Sequence, residues 1–366
     1  MVPGPEKATI VERLVGIFRM PYIIGCFIIS VLIGPLGAIL VAYFTTGFNI
    51  DRAILMTITF IGGVGTPYWM GVAILALTWL LLFYVFFMTG FMRHRLISAE
   101  EGISPILPGR KKTFHATFRF VFKQWPPIAI ATLIIAFYFL SSSDYLIASF
   151  SAYAVNLITA IYLIIVYPLW FIVCCTFVWI YFGSVYGLYK LGRKHLRLKR
   201  STEDRMLGVR PFGDLSLSMS IVYFSAMAIL IMIGIASTIG SPVIGFVAFI
   251  TLLMTFFVIG VILFISPLCA VHSKMIEQKE IERTELRRQF SESVEVSTES
   301  SMKDTVAEMQ RKLENLTSLM TLEMEEKNLD LVPNWPIDTP ILNKFVTIII
   351  TVIAIILANL FLRLLA

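Results

Sequence analysis

Hydrophobic positions in this chain fall into long unbroken runs, with no two-residue alternation of the kind a half-buried strand shows. A helix needs roughly twenty apolar residues to cross a hydrocarbon core. Runs of about that length occur at 22–46, 70–92, 126–142, 156–189, 216–238, 242–271 and 341–363. The fourth is the longest. Residues 145–189 carry no charge and have room for two short spans, with Pro168 as either a kink or a turn. The last run opens with Thr339 before Pro340, a capping hydroxyl followed by a ring that fits a first helical turn.

Between the runs the pattern changes to amphipathic. Residues 8–19 set Ile10, Val11, Leu14, Ile17 and Phe18 beside Glu12, Arg13 and Arg19. Phe114, Phe118 and Phe122 form a second stripe, flanked by Arg119, Lys123 and Trp125. Both read as helices lying in the membrane interface, and Trp335 reads as an interfacial anchor for the last run. The third piece is 274–330. There Met302, Val306, Met309, Leu313, Leu316 and Met320 repeat at alternating steps of four and three, a coiled-coil seam of nearly three heptads. A Ser- and Glu-rich stretch, 291–301, separates it from an earlier helix, 274–290, that continues the sixth run. The two helices fold back as a hairpin, or the seam pairs between subunits.

Composition agrees with the runs. Of 366 residues, 57% are hydrophobic and 15% charged, and the mean hydropathy is +0.82. This is the balance of an integral membrane protein. The net charge of +6 does not indicate nucleic acid, because the basic residues flank the apolar runs. Segments 1–20, 93–125, 190–215 and 274–340 together hold 27 of the 30 Lys and Arg. The positive-inside rule then places the N-terminus inside, the C-terminus outside and seven spans between. Dividing 145–189 in two would send Arg193, Lys194, Arg197, Lys199 and Arg200 outside. The orientation is the reverse of a G-protein-coupled receptor. Glu6, Lys7, Glu12 and Arg13 interrupt the N-terminal segment, so no cleaved signal peptide is expected.

The expected fold is therefore an all-α integral membrane protein of the cell membrane. Residues 1–273 form a six-helix bundle with basic cytoplasmic loops. Residues 274–335 form a cytoplasmic helical or coiled-coil insert between helices six and seven. Residues 336–366 form the final span.

Catalytic chemistry is poorly supplied. The apolar cores of the first six runs contain no Asp, Glu, Lys, Arg or His. An intramembrane enzyme needs paired acids, a nucleophile with its base or a metal cluster at depth, and a coupled transporter needs an ionisable relay. Cys26, Cys174, Cys175 and Cys269 lie in apolar runs without metal-ligand spacing to His94, His115, His195 or His272. No cofactor and no metal are expected.

Polar positions in the last run point elsewhere. Thr347, Thr351 and Asn359 differ by multiples of four and mark a polar side on an otherwise oily helix. Ile348, Ile355 and Leu362 lie near that side and would supply a hydrophobic constriction. The plainer alternative is that the threonines bond back to their own helix and Asn359 bonds a neighbour. A second stretch, Thr57 to Pro67, places Gly62, Gly63 and Gly65 after a short apolar helix, which is also the composition of a re-entrant loop. Gly183 and Gly187 form a GxxxG that lets helices approach closely. Asn156 and Tyr162, with Tyr138, Ser141, Ser142 and Ser143, either line an outward pocket or satisfy one another.

Seven spans, an inside N-terminus, an outside C-terminus, a long fourth span with a basic stem and a short last span together resemble the insect odorant and gustatory receptor superfamily. The resemblance covers the whole chain as topology. That family's last helix carries Thr-Tyr, five residues, then Gln-Phe. This chain has Thr351-Val352 and Asn359-Leu360-Phe361, with different spacing and no tyrosine. The resemblance implies a tetrameric ion channel whose last helix lines the pore, and it transfers no ligand-contact residue. The sequence thus leads to a non-enzymatic homo-oligomeric channel, open to gating by a ligand the sequence does not name, with membrane lipids as partners. The alternatives are a membrane scaffold or sensor signalling through its coiled coil, and a facilitator for a small or lipidic substrate.

Overall fold

The computed structural model describes residues 9–45, 49–62, 68–141, 157–200, 203–238, 243–299 and 306–365. The helices are α1 (Ile10–Gly16), α2 (Tyr22–Ile33), α3 (Pro35–Thr45), α4 (Ile50–Gly62), α5 (Tyr68–Ile103), α6 (Arg110–Phe118), α7 (Trp125–Ser141), α8 (Leu157–Gly192), α9 (Arg210–Thr238), α10 (Val243–Glu299), α11 (Val306–Asp330) and α12 (Thr339–Leu365). A 3-10 turn, Ser104–Ile106, joins α5 to the α6 segment. Among the described residues there is no strand.

Among the described residues six segments are long and apolar enough to cross a membrane: Tyr22–Leu40, Tyr68–Ile106, Pro168–Gly192, Arg210–Ile235, Ala248–Glu292 and Thr339–Ala358. The run at 126–142 becomes α7, Trp125–Ser141, which at 17 residues is shorter than any of the six. The charge-free stretch ending at 189 is one helix from Leu157 onward. Pro168 lies inside α8 and does not end it. The first run breaks instead, at Gly34-Pro35, where Gly34 separates α2 from α3.

The largest core lies at the charge-rich end of the bundle. Leu96, Ile103 and Leu107 meet Phe114, Phe118, Leu188, Leu207, Phe212 and Val271 there. The loop between α8 and α9 is tied into it by backbone, with Arg197 N–H donating to Ile106 O at 2.8 Å. The Asp204 carboxylate accepts from the N–H groups of Met206 and Gly208 at 2.9 and 3.1 Å. Gly208 has φ +81° there, a backbone state that favours glycine.

Two of the amphipathic stripes prove to be core. Val11 and Val15 of α1 pack with Cys26, Ile29 and Phe86, and the helix is closed by a capping box between Thr9 and Glu12. Phe114 and Phe118 are buried, and the Phe118 ring lies on Gly187 of α8, where an added Cβ would be 2.3 Å from Cε1. The GxxxG therefore seats α6 and the turn after it, not a second span. Trp335 stacks on His272 of α10, centroids 4.1 Å apart.

Thr57 donates to Ala53 O at 2.9 Å and to Ala38 O at 3.5 Å, which fixes α4 against α3. Gly63 to Pro67 of the proposed re-entrant stretch lie outside the described residues, as do Ser142, Ser143 and Asn156 and the side chains of Tyr138 and Tyr162. The four cysteines are free, with Cys26 buried and Cys269 exposed.

Candidate functional site

The last helix is held along one face. Ile341, Phe345, Val352 and Ile356 are buried in a core with Phe224 and Met227 of α9 and Phe264 and Leu268 of α10. They recur at steps of four and seven, which keeps them on one side of a helix. Phe345 is the anchor. Its ring stacks on Phe264, centroids 3.7 Å apart, and meets Phe224 edge-on at 6.1 Å. The start of α12 is set by Asp338, one residue before the threonine expected to cap it. Asp338 Oδ1 accepts from Thr339 N–H at 2.8 Å, and its carbonyl accepts from Ile341 and Leu342. Pro340 then falls in the first turn, where its missing N–H costs nothing.

Thr347 and Thr351 lie on the open side and are exposed. Each hydroxyl donates to the carbonyl four residues back, Thr347 to Asn343 and Thr351 to Thr347, both at 2.8 Å. The donors are thus satisfied within the helix, and each oxygen still presents a lone pair outward. Back-bonding alone does not single them out, because exposed Thr132 and Thr255 do the same. The alignment does. Asn343, Thr347 and Thr351 follow one another at steps of four, and Ala354 and Ala358 continue the open side; all five are exposed. Asn343 and the two alanines were not singled out from sequence. The signal for Asn343 was there, one step of four before Thr347.

Ile348 and Ile355 fall differently. Both are partly buried against the core that α12 shares with α9 and α10, so within one chain they flank the open side and support the helix. Asn359 and Leu362 belong to α12, but their side chains lie outside the described residues. The open side also carries large apolar groups, Val346, Ile350 and Leu357. The helix is therefore a lipid-compatible rod with one narrow strip of small and polar groups.

The other concentration of polar chemistry is at the charged end. Arg93 of α5 is 1% exposed and pairs with the Glu12 carboxylate of α1. The ring of Phe122 lies 5.7 Å from its guanidinium carbon. Nε and Nη2 are buried without a hydrogen-bond partner among the described residues. Arg93 was read only as one of the basic residues that set orientation. Its partner is 81 positions away, and no local pattern marks the pair. Among the described residues no group of three or more His, Cys, Asp or Glu is placed to hold a metal ion. No protein-family model, curated protein or solved structure matches this chain.

Proposed function

We propose that this protein is a non-enzymatic ion channel assembled from several copies of the chain, with α12 of each copy lining a central conduit. One observation carries the reading. The last helix is fixed by one face only, and its free side bears Asn343, Thr347 and Thr351 in line, followed by Ala354 and Ala358. In lipid such a strip gains nothing over leucine. Around an axis shared by sister copies it gives water and ions oxygen ligands, and the alanines let helices approach closely.

The finer reading follows the charge distribution: seven spans with α7 as the third, the basic segments in the cytoplasm and Ala366 outside. Thr347 and Thr351 line the conduit. Ile348 and Ile355 narrow it from the flank, with Asn359 and Leu362 further along the same helix. A ligand that opens the channel must bind the open form more tightly than the closed one.

The test is recording in planar bilayers on the purified full chain. Cysteine at 347 or 351 is expected to change conductance on modification by a charged thiol reagent. Cysteine at Val352, buried against the core, is expected to stay silent. Absence of current, with equal protection of all three positions, removes the channel reading. The scaffold or sensor reading would then stand, because α11 also leaves an apolar face open, with Leu313 and Met320 exposed.

A further inference from the structure

The helix α11 carries two apolar stripes, and the structure uses only one. Leu322 lines an open groove that Gln289 and Glu292 of α10 also line, and Leu329 is buried in the core that Leu286 joins. Arg283 pairs with Asp330 at 2.5 Å and Arg287 approaches Glu326 at 3.9 Å, which closes the hairpin on that side. The regular seam is on the other side. Leu313, Leu316, Met320 and Met324 are 61%, 55%, 67% and 70% exposed. Met302, Val306 and Met309, upstream on the same repeat, have side chains outside the described residues.

We propose that this open seam pairs, in parallel, with the same seam of α11 in a second copy of the chain. The pairing stands whether or not α12 lines a conduit.

Three observations choose a second copy over the bilayer. Residues 306–330 hold six acidic and three basic residues, the wrong sign for an anionic leaflet. The seam also stands away from the apolar part of α10. Arg283 is twelve residues beyond Val271, which is about 18 Å along a helix, and Met324 lies about 9 Å further toward the tip. Finally, the seam fits itself. Copies embedded in one bilayer with one topology are related by an axis along the membrane normal, so their α11 helices run parallel. With Leu313 and Met320 at a and Leu316 at d, the flanking pairs in parallel register are Lys312 with Thr317 and Leu319 with Met324. Neither flanking pair sets like charges together, the second adds apolar contact, and the seam closes at Met320, because the next d position is Glu323. Under three heptads would be short for a free peptide. Here the spans confine both copies to one plane, which raises their effective concentration.

The experiment uses the full chain in lipid nanodiscs, with the four native cysteines replaced by alanine. Single cysteines at 313, 316 and 320 are oxidised and the cross-linked dimer is measured. Each is expected to cross-link roughly fivefold or more above a cysteine at Thr321, which faces about 140° away from Leu316. Leu316→Asp with Met320→Asp is expected to lower the cross-link at 313 about tenfold, because desolvating a charge in the seam is costly. The same double variant should leave the helical content by circular dichroism unchanged, since both side chains are exposed in the single chain. Cross-linking confined to one seam position means an antiparallel pair and overturns the proposal. So does equal cross-linking at 321, or none anywhere. Quenching of a fluorophore at 320 by spin-labelled lipid would show the bilayer covering this face, and also overturns it.

Discussion

Arg93 sits at the charged end of α5 with Glu12 against its guanidinium and the Phe122 ring beside it. A buried cation of this kind is costly alone. Removing one member of a buried pair typically costs about 3–5 kcal/mol, while replacing both by apolar groups is often close to neutral. Glu12→Gln is therefore expected to lower the melting temperature of the purified protein. Adding Arg93→Met to it should restore much of the loss. Equal melting of the two variants would mean that the pair does not hold α1 in place. Gly187 makes a second residue-scale case. The Phe118 ring occupies the space a Cβ would need, and Phe118 is fully buried. Gly187→Ala should cost about 1–3 kcal/mol by overpacking, read as a lower unfolding midpoint. Neither contact was legible in the sequence. Glu12 and Arg93 are far apart along the chain, and a GxxxG looks the same whether a helix or a ring fills it.

At the scale of elements, the apolar runs were legible because their length is set by the bilayer and not by a partner. For α8 length left a break at Pro168 open, and the basic stem at 193–200 was the sign against one; the helix runs through Pro168. Less legible was what covers each amphipathic stripe. Lipid and protein are both apolar, so Val11, Val15, Phe114 and Phe118 gave no sign that they enter a core. In α11 the most regular stripe is the one left open, and the hairpin uses a stripe interrupted by Glu325 and Glu326. Leu329 is the key contact of that hairpin. Leu329→Asp should release α11 from α10 and speed limited proteolysis between 306 and 330, with the spans intact; an unchanged cleavage rate would contradict the packing. In α12 each step of four residues turns about 40° around the axis. The polar strip therefore follows the helix best through Ala354 and Ala358, both exposed, after Thr351.

For the whole molecule, the largest buried core among the described residues is at the charged end, where loops and helix ends meet. The opposite half exposes large apolar side chains, among them Leu133, Phe137 and Leu140 of α7. The proposed orientation places the charged end in the cytoplasm. A cysteine at Lys199 should then react with an impermeant reagent only after the membrane is opened. Labelling in intact cells would reverse the topology and remove the resemblance to insect chemoreceptor channels. The central claim is an assembly in which the last helices surround an axis. Electron microscopy of the full chain in lipid nanodiscs tests it most directly. The expected result is a ring of copies with Thr347 and Thr351 of each α12 facing a central conduit. A monomer, or an oligomer in which those threonines face lipid, would contradict it.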